Sequence, residues 1–503
     1  MKFISTRDVR KTKYDASEVI KQGLANDGGL FVPEYIPSLT KDEILSFCSL
    51  SYAELAAKIL SMFLTDYTYE ELLSDCRDAY SAESFPSDPA PLVKVNDNTY
   101  SLELWHGPTC AFKDMALQIM PRLLSRALTK TNEERTALVL VATSGDTGKA
   151  ALEGYRDIPK IKICVFYPES GVSTVQKLQM RTQGGTNVNV CAVEGNFDDI
   201  QTGVKRIFAN DNTAHQLNEM GYFFSSANSI NFGRLAPQIV YYIKSYCDLL
   251  SRNEITFGEP INICVPTGNF GNILAAYIAK KMGIPVNKLI CASNSNNILT
   301  DFFNSGVYDC HRSFHLTMSP SMDILISSNL ERLLYLTLGS QKTAELMGLL
   351  NTEGVYTIDE TTKSQLSETF VGYFADEQRT AETIKSNFEK YNYLMDTHTA
   401  VAFSALNDYR EACSDNTKTV VASTASPYKF ARDVHDSIYG STNLSDLEYI
   451  DILSQKTNTK TPSPLREIGK KEVRFSNVIT ADGMTDEVFN FLNIEVNYIF
   501  FCF

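Results

Sequence analysis

The rhythm of apolar positions changes along the chain. From Lys41 to Leu64, Ile44, Leu45, Cys48, Leu50, Tyr52, Leu55, Ile59 and Met62 recur at helical spacing and predict one or two amphipathic helices. Tyr69 to Tyr80 predicts another, and the prolines of Phe85-Pro86-Ser87-Asp88-Pro89-Ala90-Pro91 then discourage helix and mark a boundary. Beyond that loop, short continuous apolar runs predict strands at Ala137–Ala142, Ile161–Tyr167, Asn187–Val193, Ile261–Val265 and Thr419–Ala422. Between them lie the helix-like stretches Lys149–Arg156, Asp199–Met220 and Leu235–Leu250. Strands without polar alternation are buried on both faces, so the alternation predicts an α/β fold whose parallel sheet is covered by helices on both sides. A long helical region is expected over Thr361–Tyr391, followed by a mixed C-terminal segment.

Composition narrows the function classes. A length of 503 residues exceeds what one hydrophobic core serves. With 44% hydrophobic and 21% charged residues, the chain is neither disordered nor a disulfide-rich mini-domain. Lys+Arg 46 against Asp+Glu 60 gives a net charge of −14, which repels a nucleic-acid backbone but leaves room for a local cationic pocket for a small phosphorylated substrate. The 11 cysteines are scattered and form no CxxC pair, which fits reduced thiols in a cytoplasmic compartment. Met1–Arg10 lacks the apolar core of a secretory signal, and no run reaches the roughly 18 apolar residues of a membrane span. The aromatic end Tyr498–Phe503 reads as a tail docked on the fold.

Four segments carry candidate chemistry. In His106-Gly107-Pro108-Thr109-Cys110-Ala111-Phe112-Lys113-Asp114, a lysine sits at an apolar junction. Lost hydration lowers its pKa and frees the neutral amine that attacks an aldehyde; a surface pair with Asp114 is the plainer alternative. Thr143-Ser144-Gly145-Asp146-Thr147-Gly148-Lys149 follows a strand and opens a helix, which makes either an anion-binding turn or an ordinary cap by Asp146 or Thr147. The spacing of its glycines rejects a nucleotide P-loop. Val265-Pro266-Thr267-Gly268-Asn269-Phe270-Gly271-Asn272 again joins strand to helix, and its amides can wrap a single phosphate or form a structural turn. In Ser423-Thr424-Ala425-Ser426-Pro427, a hydroxyl stands at a strand tip, or Ser426 simply caps a helix. His311 and His315 have the spacing of a metal pair but no third ligand, so no metal is expected, and no GxSxG elbow is present.

A reactive lysine, a phosphate cradle, a carboxylate-binding turn and a hydroxyl at a strand tip together describe a pyridoxal-phosphate site. The chain resembles the threonine synthases, fold-type-II pyridoxal-phosphate enzymes, from about Phe3 to about residue 440. The likeness rests on Ser5-Thr6-Arg7, Gln22–Ala25, Asp27–Glu34, the Lys113 segment, Thr143–Gly148, Asn228-Ser229-Ile230-Asn231, Val265–Asn272, Ser319–Ile324 and Asp396–Ala400. The resemblance implies two α/β subdomains related to the tryptophan synthase β fold. It places a mainly helical region at 1–95, a catalytic core at 96–440 with a smaller unit at about 115–220, and a C-terminal segment at 441–503.

The resemblance further implies that Lys113 carries the cofactor as a Schiff base. Gly268, Asn269, Phe270, Gly271 and Asn272 hold its phosphate, and Thr424 approaches the ring nitrogen. Ser144, Gly145, Asp146 and Thr147 receive the substrate carboxylate. Arg234 is the first candidate for the substrate phosphate, with Lys149 behind it. The implied reaction, by a carbon–oxygen lyase acting on phosphates, turns O-phospho-L-homoserine and water into L-threonine and phosphate. A related phospholyase would instead release 2-oxobutyrate, phosphate and ammonia. Either would work as a monomer or homodimer. The chain departs from the usual family pattern at Phe232-Gly233, Lys177, Asn297 and Ser426, which bears on substrate handling.

Overall fold

In the computed structural model, which describes residues 1–143, 145–170 and 172–492, the N-terminal part is built from the helices Ala16–Gln22, Lys41–Phe47, Tyr52–Phe63 and Tyr69–Ala79. The last three each begin with a reciprocal cap, Thr40 with Glu43, Ser51 with Glu54 and Thr68 with Glu71, so local sequence alone defines where each helix starts. Ile44, Leu55, Ile59, Leu60 and Phe63 are buried, as the helical spacing requires. These helices are joined by an antiparallel strand pair, Phe3–Ser5 with Phe31–Pro33, too short to leave an alternating pattern in the sequence. The strand Leu92–Asn96 runs through residue 95 and pairs antiparallel with Thr99–Glu103.

Two sheets organise the rest. The larger has the strand order Phe370–Phe374, Val286–Ser293, Ile261–Pro266, Thr419–Ser423, Thr99–Glu103, Leu92–Asn96, parallel throughout except for the last pairing. The smaller, fully parallel, has the order Val478–Ile479, Val188–Val193, Ile161–Pro168, Thr136–Ala142, Tyr222–Ser225. Its central strands are buried along nearly their whole length, which is why they read as unbroken apolar runs. The fold is the expected α/β type with parallel-rich sheets.

The single helical region expected over Thr361–Tyr391 is corrected: it is two helices, Glu360–Ser367 and Glu377–Tyr391, around the strand Phe370–Phe374. That strand closes an edge of the larger sheet beside Val286–Ser293, and at Gly372 a Cβ would stand 2.8 Å from the Thr300 Cα of the covering helix. Sheet pairing and this close approach override the helical period. The stretch Asp199–Met220 is likewise two helices, Phe197–Phe208 and Asp211–Glu219, the second capped by Asn210. Helix also breaks between Asp114–Leu117 and Met120–Lys130. Among the described residues no helix is long and apolar enough to cross a membrane. Tyr498–Phe503 lie outside the described residues.

Candidate active site

Parallel strands bring their carboxyl ends to one edge, where the following turns line a crevice. In the larger sheet the adjacent strands Ile261–Pro266, Thr419–Ser423 and Thr99–Glu103 lead into Thr267–Phe270, Thr424–Ser426 and the segment that carries Lys113. In the smaller sheet Thr136–Ala142 leads into the turn before Asp146. The Lys113 segment is sewn to a strand tip. Phe112 N donates to Thr424 O at 2.8 Å, Ser426 N donates to Cys110 O at 3.0 Å, and Ala111 bridges Ala425. The Thr109 N–H and hydroxyl both donate to the buried Asp114, at 2.8 and 2.7 Å. Burial nevertheless pushes the Asp114 carboxyl up to about 6, against those two bonds.

The amine of Lys113 is nearly enclosed, with its side chain 10% exposed. Its Nζ donates to Ser321 Oγ at 3.2 Å, stands 3.7 Å from Asp146 Oδ2 and lies over the Phe112 ring. Burial lowers its pKa; the Asp146 carboxylate opposes the shift, while the Lys429 and Arg234 cations add to it. The sequence-level expectation for this lysine was therefore of the right sign. Asp146 is the hub of the pocket. Its Oδ1 pairs with Lys429 Nζ at 2.8 Å and accepts from Gln176 Nε2 at 2.9 Å. Burial alone would raise this carboxyl, but the two lysines hold it far below the usual carboxylate range.

The turn at Thr267–Asn272 is shaped for an oxyanion. Phe270 adopts a left-handed conformation (φ 64°) that turns the chain into the helix Gly271–Lys281, whose first N–H groups have no carbonyl within the helix to bond and so suit an anion. At Gly268 a Cβ would lie 3.0 Å from Ser321 O and 3.2 Å from Met322 Cα, so a side chain there would fill the space. The turn is held from behind: Ser327 Oγ donates to Gly268 O at 2.7 Å, and the N–H and side-chain amide of Asn329 both donate to Asn269 O at 3.0 Å. Asn272 Oδ1 accepts from the Tyr241 and Tyr242 hydroxyls, each at 2.6 Å, which aims its Nδ2 away from them. That Nδ2 is buried and has no partner among the described residues, a donor waiting for an acceptor. A buried low-pKa amine beside a glycine turn with an orphaned donor fits a phosphorylated aldehyde such as pyridoxal phosphate.

The other predicted residues fall as follows. Thr424 is buried at the strand tip beside Lys113. Ser144 lies outside the described residues. Gly145 and Gly148 already donate their N–H groups to Thr143 Oγ1, at 3.0 and 2.9 Å, and Thr147 is half-buried. Asp146 faces the amines of Lys113 and Lys429. Arg234 is buried, with Nη1 donating to Ala227 O at 2.8 Å and Nε without a partner among the described residues. Burial lowers its pKa to about 10, the nearby Tyr155 opposing. Lys149 is turned away, paired with Glu153 at 2.9 Å and with Gln183. Sequence reasoning missed Lys429, two positions past Pro427, and gave no role to Ser321, Asp396 or His398. The four departures from the family pattern are each engaged by protein neighbours. Lys177 pairs with Glu169, Asn297 accepts from Arg312, Ser426 caps Tyr428, and Phe232 packs edge-on against Phe3.

Three family models match the chain: threonine synthase N terminus over residues 2–80, pyridoxal-phosphate dependent enzyme over 88–425, and threonine synthase, C-terminal, over 399–486. Threonine synthase-like 1 of Homo sapiens is 41% identical over 449 residues, which are 85% of this chain and 60% of that protein; the chain thus spans 60% of the length of this relative. Threonine synthase of Pseudomonas aeruginosa is 36% identical over 93% of this chain and 97% of its own length. Among solved structures, PLP-bound threonine synthase from Brucella melitensis superposes with a TM-score of 0.86 at 35% identity, covering 98% of this chain and 99% of that one. On these matches, and on a site built around an enclosed amine and an anion cradle, the chain belongs to the threonine synthase family of pyridoxal-phosphate dependent enzymes.

Proposed function

We propose that this chain converts O-phospho-L-homoserine and water to L-threonine and phosphate, with Lys113 as the amine that holds the cofactor and moves the protons. The observation that carries the reading is the enclosed Lys113 Nζ, its pKa lowered by burial. When bound, pyridoxal phosphate supplies an aldehyde for an amine and a ring that accepts the electron pair of a deprotonated carbon. Gly268–Asn272, with the free Nδ2 of Asn272, would hold its phosphate, and Thr424 would face its ring nitrogen. Lys113 Nζ would take the proton from the substrate Cα and return protons to carbon. Over the whole reaction the phosphate would leave Cγ and water would supply the oxygen at Cβ. Arg234, a buried cation whose Nε has no partner among the described residues, would hold the substrate phosphate.

We further place the chain in the cytoplasm, as a monomer or homodimer; ten described cysteines, all free, fit a reducing compartment. The test is incubation with pyridoxal phosphate and O-phospho-L-homoserine, following threonine and 2-oxobutyrate together, with wild type and Lys113→Ala. Threonine from the wild type alone supports the reading. Oxobutyrate without threonine identifies the phospholyase instead, and unimpaired turnover in the variant overturns the role of Lys113.

A further inference from the structure

Among the described residues, the hydrogen-bond partner of the Lys113 amine is a serine hydroxyl. Ser321 Oγ accepts from Nζ at 3.2 Å and donates to Asp146 Oδ2 at 3.4 Å. A neutral amine has two N–H bonds and one lone pair. Ser321 Oγ takes one N–H bond and Asp146 Oδ2, 3.7 Å away on the same side, draws the second towards it by charge without reaching hydrogen-bond distance, so the lone pair turns away from both. The serine can play this part only if its own hydrogen is committed elsewhere, and Asp146 receives it. Asp146 in turn stays an acceptor because Lys429, 2.8 Å from its other oxygen, keeps it ionised.

The serine is itself held. Its backbone N–H donates to His398 Nε2 at 3.1 Å. That nitrogen must therefore be the unprotonated one, which puts the ring proton on Nδ1, 2.8 Å from Asp396 Oδ2. Asp396 is fully buried and also accepts from the His398 N–H at 2.9 Å and from the Thr399 hydroxyl. Ser321 also lies against the phosphate cradle, its carbonyl 3.0 Å from where a Gly268 Cβ would stand. The segment around it has little regular structure of its own, only the single helical turn Pro320–Met322, so the histidine supplies the anchor that a strand or long helix would otherwise give.

We propose that Ser321 is a positioning residue that orients the Lys113 lone pair, and that Asp396 and His398 form the clamp that keeps Ser321 in place. The proposal rests on Lys113 being the reacting amine, and the experiment keeps the two claims apart. Cofactor-free full chain is mixed with pyridoxal phosphate; the capture rate is followed by absorbance, and the modified lysine is identified by borohydride reduction and peptide mapping. The steady-state kcat and KM are measured on the same preparations, with thermal unfolding as the folding control.

Loss of one hydrogen bond to the reacting group predicts that Ser321→Ala slows capture and lowers kcat by roughly tenfold, with little change in KM. Ser321→Thr, which restores the hydroxyl, recovers most of both rates. His398→Leu slows both rates like Ser321→Ala, whereas His398→Gln, whose amide oxygen can still accept the Ser321 N–H, is milder. Rates in Ser321→Ala matching wild type, or a threonine variant as slow as the alanine, overturn the role of the hydroxyl. Wild-type rates in a folded His398→Leu overturn the clamp. A wild-type map with Lys113 unlabelled instead refutes the underlying assignment of the amine.

Discussion

Lys429 offers a sharp test of how the pocket stores charge. Its side chain is fully buried, and its three N–H bonds are matched by Asp146 Oδ1 at 2.8 Å, Thr109 O at 3.0 Å and Gln179 Oε1 at 3.1 Å. Replacing it with methionine keeps the apolar stem but strands the Asp146 charge, a kind of loss that costs about 3–5 kcal/mol. Lys113 at 3.7 Å and Gln176 at 2.9 Å still face that carboxylate, so the lower end, about 3 kcal/mol, is expected.

The sign with pH follows from linkage. A carboxyl held below its unfolded value contributes stability above the unfolded pKa of about 4 and loses it as pH falls further. Wild type should therefore show this acid-side loss, and Lys429→Met should show less of it. Urea unfolding of the full chain at pH 7 and at acid pH measures both effects. The double variant Lys429→Met/Asp146→Asn removes the stranded charge and should recover about 2 kcal/mol of the loss. A single variant within about 1 kcal/mol of wild type, or a double variant no more stable than the single, would refute the reasoning.

Three further outcomes follow from the same geometry. Asp114, pushed up to about 6, is bound to its proton more tightly in the folded chain, so stability should fall as pH rises from about 4 to 6. The loss is about 3 kcal/mol in all, and pH-dependent urea unfolding of Asp114→Asn should lack it. Asn272→Asp keeps an acceptor for Tyr241 and Tyr242 but replaces the free Nδ2 with negative charge. Cofactor titration should show at least about tenfold weaker binding, and the buried carboxylate should also lower stability towards urea at pH 7. Arg234→Ala should raise KM for phosphohomoserine by about 10- to 100-fold in steady-state kinetics, the worth of a charge-assisted hydrogen bond.

The central strands were legible because Thr136–Ala142, Ile161–Pro168 and Ile261–Pro266 are buried on both faces and carry no polar alternation to confuse the pattern. Helix starts such as Thr40, Ser51 and Thr68 write their own caps. Phe370–Phe374 was hidden because its partner strand Val286–Ser293 lies far away in sequence, and pairing, not local preference, decides its state. The site shows the same divide. Phe270 and Asn272 follow closely on the strand Ile261–Pro266 in a glycine-bearing segment that the sequence flags, and Lys113 stands just before the helix Asp114–Leu117 in a motif opened by Gly-Pro. Ser321 sits in an irregular segment, and its meaning comes only from an amine 208 positions earlier. Lys429 is silent for the same reason: an isolated lysine near a proline says nothing until folding surrounds it with Asp146, Thr109 and Gln179.

The stitching of Cys110–Phe112 to Thr424–Ser426, reinforced by Lys429 reaching back 320 positions to Thr109, sets an order of events. A growing polypeptide that has not yet produced this late stretch has its nucleophile in hand but nothing to set its height or angle. Competence to take up the vitamin-derived coenzyme should therefore arrive late and all at once, as a long loop closes.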